Sequence, residues 1–380
     1  MKPIVVLGSG LAGYTLVREL RKLDRDIPIT MVSNGSGDYY SKPMLSNAFA
    51  HGKEPASLVL TSGPSMAEQL GFTLLAHTEV RAIHRVEKQL NTSSGVVDYD
   101  RLVLASGADP VRISLQGDAA DAVLSVNDLE DYAIFRDVLA TAKSIAIMGG
   151  GLIGCEFAND LAVAGYKVTV IDPGPYPLSG LMPEQAGRQL LEPLSQTGVT
   201  WRFGTAVHSV NSSGAGYSLT LADEAEVYAD VVLSAVGLRP RIGLARDAGL
   251  AVNRGIVVDE QLRSSDETIF ALGDCAEIDG RVLPYVLPIM QAGRTLAKVL
   301  NGEDARVVFP FMPVVVKTPA HPVVVSPVAR DAAGTWQVLE RGQGIKMGFF
   351  NVQDEMTGFV ITGEYAGERT AMTARCVSKS

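Results

Sequence analysis

Two short stretches carry the residue types and spacing that could do chemistry. "VVLGSGLAG", residues 5–13, places Gly8, Gly10 and Gly13 in the pattern G-x-G-x-x-G, and "AIMGGGLIG", residues 146–154, repeats it with Gly149, Gly151 and Gly154. Each pattern ends an apolar run and opens a helix-like segment that leads into a second β-branched run. In that context the three glycines have separate tasks. The first permits the tight turn, the second lets backbone N–H groups approach a pyrophosphate, and the third lets helix and strand pack closely. The helix N-terminus then faces the negative charge. The spacing therefore predicts two dinucleotide sites. One is built on Gly8, Ser9, Gly10, Leu11, Ala12 and Gly13, the other on Gly149, Gly151, Leu152, Ile153 and Gly154.

The residues after each loop differ. Beyond the second unit, Asp172 closes the run "VTVID". A carboxylate there accepts hydrogen bonds from a ribose and repels a 2′-phosphate, which favours NADH over NADPH. Beyond the first unit the matching position is Ser33, next to Asn34, so a hydroxyl and an amide replace the usual acid. A further carboxylate, Asp274, stands in "TIFALGDCA", residues 268–276, where an apolar strand ends in Gly-Asp. It suits the hydroxyls of a polyol chain, or alternatively the N-cap of a following helix.

The elements needed to position these groups can be read from periodicity. Strands are expected over 4–7, 29–32, 145–148 and 167–171, with helices from about 11 to 23 and from the second loop to about 164. "LVLASGADP", residues 102–110, and "VVLSAVGLRP", residues 231–240 with Gly237 at its turn, rhyme as closing strands of two nucleotide-binding halves. The expected organisation is α/β: two Rossmann-like dinucleotide-binding domains, one inserted in the other, plus a small C-terminal α+β domain. The first takes residues 1–110 and 240–311, the inserted one 111–239, and the β-rich tail 312–380.

Composition narrows the function classes. The formal net charge of −9 disfavours nucleic acid and anionic membrane surfaces as partners. Cys155, Cys275 and Cys376 form no C-x-x-C pair and fit a reducing compartment. His51, His77, His84, His208 and His321 show no metal spacing, so surface or capping roles and no metal are expected. The start "MKPIVVLGSG" leaves no room for a cleavable signal peptide, and no apolar run suggests a membrane span.

The order of these motifs resembles the pyridine nucleotide–disulfide reductase superfamily, with its glutathione-reductase-like fold. Within it the chain is most similar to rubredoxin–NAD(+) reductases. The resemblance rests on "YSKPMLS" (40–46), "GLIGCEFANDL" (151–161), "AVGLRPR" (235–241), "ALGDCAE" (271–277) and "MPVVVKTPAHP" (312–322), and spans essentially the whole chain. It implies FAD on the first loop and NADH on the second. It also implies an ion pair of Lys42 and Glu156 beside the flavin, Asp274 on the ribityl chain, and Val286 with the helix after it near the pyrimidine ring. Val80 would touch the adenosine, Lys317 would reach the flavin from the C-terminal domain, and Gly237 would lie at the NAD site.

The disulfide reductases proper carry C-x4-C where this chain reads "SKPMLS", so the flavin has no dithiol partner there. Electrons must leave from the ring to an external acceptor. The resemblance implies rubredoxin as partner, a role feeding alkane hydroxylation, a cytoplasmic location, and a monomer or weak dimer. Flavorubredoxin or ferredoxin reduction, an NADH oxidase or small-molecule reductase, and a redox-controlled FAD-binding interaction protein are the alternatives. Because rubredoxins are acidic like this chain, docking calls for a local basic patch, with Lys42, Arg239, Arg241, Arg294 and Lys317 as candidates.

Overall fold

The computed structural model describes residues 2–329 and 331–377. By its contacts the chain divides into two units. The first comprises Met1–Lys42, Ala56–Asp109 and Leu238–Phe309, the second Pro43–Pro55, Pro110–Gly237 and Pro310–Ser380.

The first unit is built on a parallel sheet of five strands in the order Ile269–Ala271, Arg101–Leu104, Ile4–Leu7, Ile29–Val32, Thr73–Leu75. The strands IVVL and ITMV are buried at every residue, as parallel strands between covering layers must be. Helix Leu11–Leu23 follows the first strand and buries Tyr14, Leu16, Val17 and Leu20 along one stripe. Helix Val286–Leu300 packs against it through Gly293, where a Cβ would lie 2.8 Å from Cγ2 of Thr15. A small antiparallel sheet, Val80–His84, Gln89–Thr92 and Gly95–Asp98, also belongs to this unit.

The second unit repeats the first arrangement. Its parallel sheet runs Val199–Phe203, Lys167–Asp172, Ser144–Met148, Val231–Ser234. Helix Leu152–Val163 is buried at every position from Gly154 to Ala162. Such a helix should be apolar all round, yet it carries Glu156, Asn159 and Asp160, each no more than 2% exposed. The same unit holds an antiparallel sheet of five strands in the order Val314–Val316, Val323–Ser326, Met356–Thr362, Ile345–Asn351, Gly334–Arg341. Val324, Phe359 and Ile361 of this sheet share an apolar cluster with Met372 of the short helix Arg369–Arg375. The fold is α/β with two Rossmann-like sheets and a small C-terminal α+β portion. Among the described residues no helix is long and apolar enough to cross a membrane.

His321 departs from its expected surface role. It is 5% exposed, and its ring lies where a Cβ on Gly363 would come within 2.8 Å of Cε1. Its backbone N–H donates to Thr318 O at 2.9 Å and its carbonyl accepts from Thr318 Oγ1 at 2.8 Å, but Nε2 has no partner. Burial lowers the imidazole pKa below its ordinary value. The unfolded chain therefore takes up a proton near pH 6.5 that the folded chain resists. The stability tied to neutral His321 is present above that pH and lost as pH falls below it. We expect His321→Gln to lose less stability than wild type when urea unfolding is compared at about pH 7 and about pH 5. Equal losses would show that His321 does not titrate differently on folding.

Candidate functional site

The first glycine loop leaves strand Ile4–Leu7 with Gly8 at φ +118°. A Cβ on Gly8 would lie 2.2 Å from Ala105 O, and one on Gly13 would lie 2.0 Å from Gly8 O. No side chain larger than hydrogen fits either place. A Cβ on Gly10 would meet nothing within 4 Å. The loop is therefore closed where helix meets strand and open where a ligand's phosphates would approach. Ser9 Oγ and Ser33 Oγ share a hydrogen bond of 2.8 Å, which ties the loop to the end of strand Ile29–Val32. Asn34, next to Ser33, is exposed, while Val80 is buried at the start of its strand.

The Gly273-Asp274 turn comes to the same loop. Gly273 has φ +83°, and a Cβ on it would lie 2.8 Å from that of Ala12. The element after Asp274 is the strand Ala276–Ile278, so no helix there needs Asp274 as a cap. Burial raises the Asp274 pKa, with the charge of Lys42 opposing the shift. Helix Val286–Leu300 begins at Val286 itself, which is exposed.

The second loop has the same steric signature in the other unit. A Cβ on Gly149 would lie 2.7 Å from Ala235 O, one on Gly154 would lie 1.9 Å from Gly149 O, and one on Gly151 would meet nothing within 4 Å. Gly151 and Ile153 are exposed and Leu152 is half-buried at the helix N-terminus. Asp172 faces the loop: Oδ2 accepts from Gly150 N at 2.6 Å and Oδ1 from Gly174 N at 2.6 Å. A carboxylate has about four lone-pair directions, so these two bonds orient it and leave capacity for a ribose. Gly237 stands at φ +116° just past strand Val231–Ser234.

Glu156 lies two residues beyond Gly154 and is 1% exposed. Its ion-pair partner in this unit is Lys317, whose Nζ is 2.6 Å from Oε2 and whose side chain is 29% exposed. The backbone N–H of Lys317 donates to Oε1 at 2.9 Å, and the Ser46 hydroxyl donates to Oε2. Lys42, which the family resemblance places beside Glu156, belongs to the first unit, where its charge acts on Asp274; within the second unit the turn that begins at Pro43 puts Ser46 against Glu156.

Two further groups escape a motif search. Asp160, one turn past Glu156, accepts from Phe49 N at 2.8 Å and Ala50 N at 3.1 Å. Burial raises its pKa, opposed by those N–H groups and by the charges of His51 and Lys317. Asn159 Oδ1 accepts from Ala320 N at 3.1 Å. The available signal was three polar residues inside an otherwise apolar helix. Of the candidate docking cations, Lys317 is committed to Glu156, and Arg241 is bonded to Asp109 at 2.6 Å.

The cysteines offer no reactive dithiol. Cys155 and Cys275 are fully buried, and burial pushes both thiol pKa values up. Thiolate formation, which disulfide chemistry requires, is disfavoured at both.

Comparison with known proteins bears on this arrangement. The profile described as pyridine nucleotide-disulphide oxidoreductase matches residues 2–297, and one described as rubredoxin binding C-terminal domain matches residues 306–376. The chain is 46% identical to a rubredoxin-NAD(+) reductase of Alcanivorax borkumensis, covering 97% of each chain. It is 42% identical to one of Acinetobacter baylyi, covering 99% of this chain and 98% of that one. Among solved structures, the putidaredoxin reductase of a covalent complex with putidaredoxin aligns with TM-score 0.87 at 25% identity, over 98% of this chain and 93% of that one.

The Glu156–Lys317 pair generates a stability prediction. Lys317→Met takes an ammonium away from a buried carboxylate and is expected to cost about 3–5 kcal/mol. Adding Glu156→Gln removes the uncompensated charge and should recover part of that loss, read as urea midpoints of the three variants and wild type. A double variant that loses the sum of the two single losses would contradict the pairing.

Proposed function

We propose, from the premise that this chain belongs to the pyridine nucleotide-disulphide oxidoreductase family, that it is an NADH-dependent flavoenzyme passing electrons through FAD to rubredoxin. The observation that carries this reading is the joining of two glycine cradles to a C-terminal segment, residues 306–376, of the rubredoxin-binding type. The two relatives named above act, by their names, on rubredoxin and NAD(+).

Bound FAD supplies an acceptor that takes electrons in pairs from a nicotinamide and gives them up singly to an iron–sulfur carrier. The chain's own residues do the rest. Backbone N–H groups at Gly10, Leu11 and Ala12 would hold the FAD pyrophosphate at a helix N-terminus, and those at Gly151, Leu152 and Ile153 that of NADH. Ser33, Asn34 and Val80 would line the adenosine of FAD, Asp274 would accept from ribityl hydroxyls, and Asp172 from the NADH ribose. Val286 opens a helix whose N-terminal N–H groups favour negative charge on a neighbouring ring.

Glu156 and Lys317 together present one ammonium held in place by a buried carboxylate. Such a preorganised cation stabilises negative charge that builds up on a bound ring and needs no reorganisation when it does. Lys42, whose charge acts on Asp274, is a second cation, in the first unit. We place the protein in the cytoplasm and read residues 1–110 with 240–311, 111–239 and 312–380 as its FAD, NAD and rubredoxin parts. A role in supplying electrons for alkane hydroxylation fits this reading.

Three measurements test it. The purified protein should carry FAD, and kcat/KM should be higher for NADH than for NADPH by about tenfold or more, with Asp172→Ala narrowing the gap. Rubredoxin should be reduced faster than ferredoxin, ferricyanide or oxygen at equal concentration. Equal efficiency with both nucleotides would remove Asp172 from the ribose. A rubredoxin rate no higher than the others would overturn the assigned acceptor.

A further inference from the structure

Ser46, the last residue of the YSKPMLS stretch, has no role in the electron path described above, and its surroundings assign it one. Ser46 is 3% exposed in the short 3-10 turn Lys42–Asn47. Its hydroxyl donates to Glu156 Oε2 and accepts from Lys317 Nζ at 3.0 Å, while Lys317 Nζ reaches Glu156 Oε2 at 2.6 Å. The three groups close a triangle. An ammonium has three N–H bonds to place. Lys317 gives one to Glu156, one to Ser46 and one to the carbonyl of Pro43. Each proton of the cation thus has an acceptor, and two of the three acceptors lie on segment Pro43–Pro55.

That segment is anchored from helix Leu152–Val163 and its surroundings. Asp160 accepts from the consecutive N–H groups of Phe49 and Ala50. The Arg136 guanidinium lies 4.6 Å from the centroid of the Phe49 ring, and Tyr132 and Arg136 both donate to Lys53 O, at 3.0 and 3.1 Å. Asn47 Nδ2 donates to Lys317 O at 3.1 Å. One helix thus contributes both the carboxylate of the pair, at Glu156, and the clamp on the segment that delivers the serine, at Asp160.

We propose that Ser46 is a positioning residue: its hydroxyl, delivered by the Asp160-anchored segment, fixes the Lys317 ammonium and the Glu156 carboxylate relative to each other. This deepens the flavoenzyme reading and rests on it, since the pair is the cation that reading offers to the bound ring. Without the hydroxyl, one N–H of Lys317 and one lone pair of Glu156 lose their partners. The ion pair survives, but its direction is no longer set. Threonine carries the same hydroxyl and should keep the triangle.

The test uses the FAD-loaded protein, mixed anaerobically with NADH in a stopped-flow instrument. Ser46→Ala should lower the limiting rate of flavin bleaching by about tenfold while the NADH concentration for half-saturation stays near that of wild type. The visible absorption band of its oxidised flavin should shift, with FAD content preserved. Ser46→Thr should restore the wild-type band and most of the rate, and Asp160→Asn should fall between Ser46→Ala and wild type. A Ser46→Ala protein with wild-type rate and spectrum overturns the role, and so does a Ser46→Thr protein as slow as Ser46→Ala. A wild-type protein that NADH does not bleach overturns the flavoenzyme reading itself and this role with it. Bleaching in wild type with no effect of Ser46→Ala overturns the role alone.

Discussion

A carboxylate in the interior has to be neutralised where it stands, and Glu156 imposes that constraint on this protein. It sits on a helix buried from Gly154 to Ala162, with 1% of its own surface exposed. Desolvating a charge costs several kcal/mol unless partners replace the lost water. Three donors do so: the ammonium and the backbone N–H of Lys317, and the hydroxyl of Ser46. They come from stretches 110 and 161 residues away in sequence, and satisfying one carboxylate brings both to the helix that opens at the second glycine loop. Asn159 and Asp160 extend the same logic by capping N–H groups of Ala320, Phe49 and Ala50.

The two glycine loops obey a different constraint, which is contact distance. In both, the first and third glycines are walled in by backbone carbonyls at less than 3 Å from any added Cβ, while the middle glycine faces open space. Helix, strand and turn approach one another as closely as the backbone allows, and the remaining opening is at the helix N-terminus, where the dipole favours a phosphate. The pattern is the same in two units of unrelated sequence detail. The physical requirement is therefore shared, and the difference in ligand must come from the side chains at the end of the next strand: the Ser9–Ser33 pair in one unit, the Asp172 carboxylate in the other.

Much of this was legible in the sequence because it is local. A strand, a glycine turn and a helix succeed one another within a few residues, so Ile4–Leu7 with Leu11–Leu23, and Ser144–Met148 with Leu152–Val163, could be read from period and spacing. The tail, read as β-rich, likewise holds an antiparallel sheet. That Lys317 reaches Glu156, 161 residues away in sequence, was not legible. Periodicity carries no such information. Asp160 was hidden for a related reason: an acid inside an apolar helix signals a buried partner but not which one, and its partners are backbone N–H groups that have no residue signature. His321 was misplaced because a lack of metal spacing carries no information about burial, whereas its ring is packed against Gly363.

The electron path is set by the chemistry that the cysteines cannot do. Cys155 and Cys275 are sealed from solvent, which disfavours a thiolate at either, so the proposed function runs the electrons through a bound flavin with no dithiol beside it. Anaerobic titration of the FAD-loaded protein with NADH tests this claim most directly. A lone flavin is fully reduced by one NADH per FAD, and oxidised rubredoxin added afterwards should restore the flavin colour while losing its own. Uptake of two NADH per FAD, the capacity of a flavin joined to a redox-active dithiol, would contradict the account.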